Sequence, residues 1–213
     1  MLNARTLLTL TVITGLIGIG AAVGIYTSGY NDTRQSPEAV DGLLWPEPKQ
    51  IQEFTIVDHT GEEFGLENLK GKWSFLFFGY TYCPDVCPIT LSVLDKFYSN
   101  HENDDVQVLL ITVDPERDTP ARLAEYTGYF NEDFIGLGGS MEQINSLAAQ
   151  IGISYMYHPP DEDGSYLVDH TSAVFLLDPQ ARLVSIFSAP HNPAAIRSRF
   201  NQIETFIRDQ GDY

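Results

Sequence analysis

The sequence contains two cysteines, four residues apart in Cys83-Pro84-Asp85-Val86-Cys87-Pro88, and a histidine, His170, far along the chain. Thiolates are soft ligands that select Cu(I), zinc or iron–sulfur clusters, and copper heads the first-row affinity order. Two thiols and one imidazole therefore suit three-coordinate copper, whereas the two thiols alone would form a redox pair. A structural zinc site normally closes with four ligands, and no second histidine is placed as an obvious fourth.

Each of these residues also has a simpler interpretation. Two cysteines in an exported domain usually form a structural disulfide, although so short a loop constrains the unfolded chain little. A single histidine is more often a surface or hydrogen-bonding residue than a ligand, and spacing alone does not bring His170 to the cysteines. Only this simpler interpretation applies to His59, His101, His158 and His191.

The elements around the cysteines indicate where the thiols lie. The continuous apolar run Trp73 to Gly79 predicts a strand buried on both faces of a sheet. Pro88 fits the first turn of the helix that follows. A helix N-terminus favours negative charge, so a thiol there loses its proton more readily. Cys83 and Cys87 share a face if both are helical, and they can also converge on one ion if Cys83 lies in the preceding loop.

The rest of the chain alternates predicted strands and helices. A second buried strand covers Val106 to Val113, and Thr119 or Asp118 can cap the helix that Pro120 opens. Further elements are a first strand at Glu53 to Val57, a helix at Met141 to Gln150, a hairpin about Asp178-Pro179 and a last helix at Ala194 to Arg208. This pattern predicts an α/β fold with a central mixed sheet flanked by helices. The cysteines follow a central strand, as reactive thiols do in thioredoxin-like folds.

The N-terminus predicts a membrane anchor. Leu7 to Tyr26 is free of charge, and at about 1.5 Å per residue it spans roughly 30 Å of hydrocarbon. Arg5 precedes this run and the next basic residue is Arg34, which places the N-terminus in the cytoplasm and the domain outside. A cleaved signal peptide is the alternative, but the run is long and its cleavage site is poor. We expect an anchor at 1–26, a tether at 27–50 and a folded domain with the thioredoxin-like α/β pattern at 51–213.

The charge of the chain excludes some classes of ligand. With 29 acidic and 12 basic residues, the formal net charge is -17. Such a surface repels nucleic acid and anionic lipid headgroups, so neither is expected to bind the folded domain. It would attract cations or a basic protein face, or it serves only solubility.

Three segments resemble the Sco/SenC family of membrane-tethered copper chaperones for cytochrome c oxidase. They are FFGYTYCPDVCP at 77–88, ITVDPERDTP at 111–120 and YLVDHTSAVFLLDP at 166–179. They occur in the family's order and spacing, the resemblance covers roughly residues 45 to 208, and the N-terminal anchor is shared.

The resemblance implies a thioredoxin-like fold and one copper ion, Cu(I) or Cu(II), bound by Cys83, Cys87 and His170. The metal would pass to the dinuclear CuA centre of oxidase subunit II, and Asp114 and Asp169 would be supporting residues. An upstream periplasmic copper donor or thiol reductant is a second expected partner. The location would be the bacterial inner membrane, single-pass with a periplasmic domain, or the equivalent mitochondrial topology.

Two enzyme functions compete with copper delivery. A thiol–disulfide oxidoreductase would use Cys83 and Cys87 as a redox disulfide to reduce the cysteines of a CuA site, and it would have no need of His170. Such enzymes more often have two residues between their cysteines, whereas this chain has three. A thiol peroxidase is a third hypothesis, without a specific motif. One dithiol can serve both delivery and reduction.

Overall fold

A computed structural model describes residues 43–44, 47–101 and 105–209, all within one unit that spans Ala39–Tyr213. The predicted anchor at 1–26 and the predicted tether up to residue 42 lie outside the described residues. Within the described ranges, no helix has the length and apolar character needed to cross a membrane.

The described strands form two sheets. The strands are β1 (Lys49–Gln50), β2 (Thr55–Asp58), β3 (Glu63–Gly65), β4 (Trp73–Gly79), β5 (Val106–Thr112), β6 (Ile135–Gly138), β7 (Tyr155–Tyr157), β8 (Val168–His170), β9 (Val174–Leu177) and β10 (Arg182–Phe187). The larger sheet has the order β1-β10-β9-β4-β5-β6-β2-β3. Its β4, β5 and β6 are parallel, and its other neighbours are antiparallel. β7 and β8 form a separate antiparallel pair.

The helices confirm the predicted α/β class. They are α1 (Val86–Tyr98), α2 (Pro120–Phe130), α3 (Met141–Ile151) and α4 (Pro193–Asp209), with a short 3-10 helix at Leu66–Asn68. α1 packs against β5 and α4, α2 against β6, and α3 against β2. A mixed sheet flanked by helices is the architecture of the thioredoxin-like prediction.

The core lies around the two central parallel strands. Every residue of β4 and β5 is buried, as the continuous apolar runs predict. The Phe75 ring lies 4.7 Å from the ring of Phe97 in α1 and 5.5 Å from that of Phe200 in α4. The carboxyl end of β4, from which the cysteine segment departs, is therefore fixed by packing.

The helix boundaries follow local signals in the sequence. Thr119 is the N-cap of α2, and its side chain accepts a hydrogen bond from the Arg122 N–H at 3.3 Å. α3 ends at Gly152, which adopts a left-handed conformation with φ of 90°. Asp118, the other candidate cap of α2, is buried and has different partners.

β6 was not predicted, because it is short and contains two glycines that weaken a strand pattern. The structure explains one of them. A Cβ on Gly136 would lie 2.8 Å from the Leu123 Cβ, so the missing side chain lets α2 pack closely on this strand.

The chain before β2 lies against the edge of the sheet. Lys49–Gln50 pairs with β10, the Leu44 N–H donates to the Val184 carbonyl at 2.7 Å, and Leu43 forms a bridge with Ser185. The described end of the predicted tether is thus packed on the domain. The domain boundaries themselves stay a prediction.

Candidate metal centre

Two sulfurs and one imidazole converge at the carboxyl end of β4. The ligand atoms of Cys83, Cys87 and His170 all lie within 4.8 Å of one another. In the described part of the chain, these three residues form the cluster of potential ligands that could hold a metal ion. The Cys87 Sγ lies 3.3 Å from the His170 Nε2, across 83 residues of sequence. The fold therefore supplies the proximity that spacing could not predict.

The two cysteines occupy different positions at the start of α1. Cys83 lies in the loop before the helix and Cys87 in its first turn, and both thiols are free. The Cys87 N–H donates to the Cys83 Sγ at 3.4 Å, and the Cys83 N–H donates to the Tyr80 carbonyl at 3.2 Å. An N–H group in the first turn of α1, which has no carbonyl partner within the helix, is thus directed at the Cys83 sulfur.

Gly79 makes room for the Cys87 sulfur. A Cβ at Gly79 would lie 2.9 Å from the Cys87 Sγ, 3.0 Å from a Phe77 ring carbon and 3.3 Å from a Leu110 methyl. Cys87 is fully buried in this space. Sequence analysis treated Gly79 only as the end of a strand, although a glycine just before the cysteine segment was a usable signal of close approach.

The thiols differ in protonation. A hydrogen bond from the Cys87 thiol, with a smaller contribution from the Cys87 N–H, lowers the pKa of Cys83 to about 4 against the opposing effect of burial. The same hydrogen bond, together with burial, raises the pKa of Cys87. Without metal, Cys83 is therefore a thiolate and Cys87 a protonated thiol, and the thiolate is the form that binds metal.

The tautomer of His170 is set by its neighbour. The His170 Nδ1 lies 3.1 Å from the Thr171 carbonyl oxygen, which only accepts, so Nδ1 carries the proton and Nε2 has the free lone pair. The rings of Phe77 and Tyr80 each contact the imidazole edge to face at 5.9 Å. The nitrogen that faces Cys87 is thus oriented for coordination.

Side chains in the loops that follow β4 and β5 hold the β7–β8 hairpin in place. The Tyr166 hydroxyl donates to the Asp114 Oδ1 at 2.8 Å, and the Arg117 Nη1 donates to the Tyr166 carbonyl at 3.0 Å. The Val168 N–H donates to the Tyr80 hydroxyl at 3.2 Å. Because β8 ends at His170, these contacts position the imidazole. No local pattern in the sequence identifies Tyr80, Arg117 and Tyr166 as supports, because the partners of Tyr80 and Tyr166 are distant in sequence.

Asp114 and Asp169, the predicted supporting residues, lie in different surroundings. Asp114 is fully buried and pairs with Arg117. The Asp169 side chain is 67% exposed, and its Oδ2 lies 2.8 Å from the Nε2 of His158. Neither carboxylate belongs to the converging donor group. A supporting role for either one stays a prediction.

Asp118 is a buried acid that holds the cysteine segment. Its carboxylate accepts from the Thr81 N–H at 3.0 Å and hydroxyl at 2.6 Å, and from the Thr112 hydroxyl at 2.6 Å. Burial raises the pKa of Asp118, although these donors oppose the shift. Thr81 precedes Cys83 by two residues, so the network joins the loop to β5. Sequence analysis considered only a capping role for Asp118.

Comparisons with known proteins agree with this site. The family model described as SCO1/SenC matches residues 46–204. A SCO2-like protein of Rickettsia conorii is 34% identical over 186 residues, which are 85% of this chain and 89% of that protein.

Solved structures include Arabidopsis thaliana ScoI with copper bound, at 35% identity and a TM-score of 0.67 over 72% of this chain and 98% of that chain. Another is Bradyrhizobium japonicum ScoI with copper bound, at 32% identity and a TM-score of 0.66 over 74% of this chain and 99% of that one. The expected copper cofactor is thus confirmed, because solved relatives hold copper and this chain presents a Cys–Cys–His donor group. The chain belongs to the SCO1/SenC family, as its three sequence motifs predict.

Proposed function

We propose that this protein is a copper chaperone that holds one ion, Cu(I) or Cu(II), through the Cys83 Sγ, the Cys87 Sγ and the His170 Nε2. The observation that carries the proposal is the convergence of these three soft donors within 4.8 Å. Thiolate and imidazole ligands favour copper, and the Nε2 lone pair is directed at the Cys87 sulfur.

Delivery of the metal is supported by the unequal exposure of the donors. Cys83 and His170 are partly exposed, whereas Cys87 is buried. A three-coordinate ion here has an open side, from which a partner's thiolate can bind it before the chaperone's ligands leave. The recipient in this proposal is the dinuclear CuA centre of cytochrome c oxidase subunit II, which the family resemblance implies.

The proposed location is the outer side of a membrane. The uncharged run Leu7 to Tyr26 would anchor the chain, with its N-terminus in the cytoplasm and the domain in the periplasm or the equivalent mitochondrial compartment. An upstream copper donor or thiol reductant in that compartment would load the site.

Thiol–disulfide exchange is the weaker candidate. It requires Cys83 and Cys87 but not an imidazole, whereas the His170 Nε2 lies 3.3 Å from the Cys87 sulfur. This third donor favours metal binding over reduction of the CuA cysteines.

The proposal is tested by replacing His170. Cu(I) stoichiometry and affinity are measured on the reduced full chain by competition with a chromophoric chelator, for the unchanged protein, His170→Ala and His158→Ala. We expect one copper per chain in the unchanged protein and in His158→Ala. In His170→Ala we expect a copper affinity at least about 100-fold lower, because loss of an outer hydrogen-bond partner of a metal ligand alone costs about 10–100-fold.

The exposed His158 is the matched control, since it lies on the same hairpin outside the donor group. The rate at which the reduced thiols react with an aromatic disulfide should change little in His170→Ala. Unchanged copper affinity in that variant would show that the three-ligand proposal is wrong.

A further inference from the structure

A cavity of ≈ 490 Å³ opens on the β7–β8 hairpin that carries His170. Four of its lining residues are aromatic or apolar: Met141, Tyr157, Pro160 and Tyr166. The rings of Tyr157 and Tyr166 lie 5.8 Å apart, and Tyr157 is 37% exposed. The cavity thus presents aromatic surface to solvent.

The aromatic wall is held by hydrogen bonds within the protein. The Tyr157 hydroxyl donates to the Val113 carbonyl and the Tyr166 hydroxyl to Asp114. Because both hydroxyls have partners inside the domain, the rings are the parts that an occupant can contact. The wall is therefore formed before anything binds.

The rim of the cavity is acidic. Glu116 lines it and is exposed, and among the described residues its carboxylate has no ion-pair partner. Acidic residues 161–163 lie in the loop between Pro160 and Gly164, which both line the cavity. The nearby Arg117 charge is paired with Asp114, so it does not cancel this acidity.

We infer that the cavity receives a lysine or arginine side chain from the protein that exchanges copper with this one. Arg117 already lies 3.5 Å from the centre of the Tyr166 ring, so the exposed Tyr157 is the ring that can attract a further cation. The aliphatic stem of that cation packs on apolar surface, and its charge complements Glu116 and a chain of net charge -17. His158, also in the lining, pairs with Asp169, the residue before His170. An occupant would thus contact the same hairpin that carries His170, and the inference rests on the proposed function.

The test follows the methionine methyl groups of the full chain by NMR. The sequence has three methionines: Met141 lines the cavity, Met156 is 61% exposed on the same hairpin outside the lining, and Met1 is distant in sequence. The probe is N-acetyl-arginine methylamide, and its neutral counterpart is N-acetyl-norleucine methylamide. We expect a saturable shift of the Met141 signal with the arginine probe, without a comparable shift of Met156.

Variants identify the charge that is responsible. Glu116→Gln should weaken binding of the arginine probe about threefold, as expected for an exposed ionic contact. Glu132→Gln, which removes an exposed acid outside the lining, should leave the binding unchanged. An equal loss in both variants would mean that only the net charge attracts the probe, which contradicts the inference.

Other outcomes would also overturn it. An equal Met141 shift with the norleucine compound indicates an apolar cavity without preference for a cation. A Met141 signal that changes with protein concentration alone indicates that a second copy of the chain occupies the cavity. Copper affinity is measured on the same samples, so normal copper binding without an arginine response refutes this inference and leaves the proposed function standing.

Discussion

At the scale of residues, the two cysteines are unequal partners. Cys83 is a partly exposed thiolate with a pKa of about 4, and Cys87 is a buried thiol whose pKa is raised. Metal binding requires both sulfurs as thiolates. The proton on Cys87 must therefore leave when copper binds.

This proton gives a pH dependence with a defined sign. Above pH 7 Cys83 is already deprotonated and only Cys87 has a proton to lose, so binding one Cu(I) should release about one proton. Affinity should then rise about tenfold per pH unit between about pH 7 and 9, since a lower pH favours the protonated sulfur. Calorimetry in buffers of different ionisation enthalpy measures the released proton. Binding without proton release would contradict the assignment of a protonated Cys87.

The candidate ligands are recognisable from the sequence, but not all of the residues that support them are. Cys83, Cys87 and His170 were identified from residue chemistry and from three motifs. Asp118 and Gly79 were not, because their roles depend on atoms that meet only after folding: the donors of Thr81 and Thr112 and the Cys87 sulfur.

At the scale of elements, the hairpin that ends in His170 depends on Asp114. This buried carboxylate binds Tyr166 and pairs with Arg117, whose guanidinium lies 3.5 Å from the centre of the Tyr166 ring. The ion pair thus joins the end of β5 to the segment that leads into β8.

The two aspartates predicted as supporting residues should behave differently when removed. Asp114→Ala leaves the Arg117 charge without its partner and should lower the free energy of unfolding by about 3–5 kcal/mol. It should also weaken copper binding, because the hairpin is less constrained. Asp169→Ala removes an exposed pair and should cost less than about 1 kcal/mol.

Urea unfolding and copper competition on both variants measure these effects. If Asp114→Ala does not fold, the milder substitution Asp114→Asn replaces it, because the amide oxygen still accepts a hydrogen bond from Tyr166. Equal destabilisation by the Asp114 and Asp169 substitutions would refute the assigned role of Asp114.

The long elements were predictable, and several of the short strands were not. The apolar run of β4 has the bounds that the sequence predicts, Trp73–Gly79, and β5 ends one residue earlier than predicted. β7 and β8 have three residues each, too few for a periodic pattern to separate them from loop. Their pairing, Tyr155 with His170, is nevertheless what carries the third ligand to its place.

At the scale of the whole molecule, the metal centre exists only in the folded chain, because Cys87 and His170 are 83 residues apart. A ligand that binds the native state and not the unfolded chain stabilises the fold. Free Cu(I) buffered at about 100 times Kd should therefore raise the free energy of unfolding by about 2.7 kcal/mol.

Thermal unfolding of the reduced full chain in a Cu(I) buffer measures this stabilisation, and a chelator should reverse it. At the same buffered concentration, His170→Ala should show a smaller increase in melting temperature. An increase of the same size in that variant would place the bound copper elsewhere.

The glycine beside the metal centre makes the surroundings of the two sulfurs unequal. The Cys87 sulfur is buried and fills the space that a side chain at Gly79 would take. Cys83 lies in the loop before α1 and is partly exposed. If copper is passed to a partner, or if an oxidant converts the two thiols to a disulfide, we therefore expect the larger displacement at Cys83, while the enclosed Cys87 stays in place.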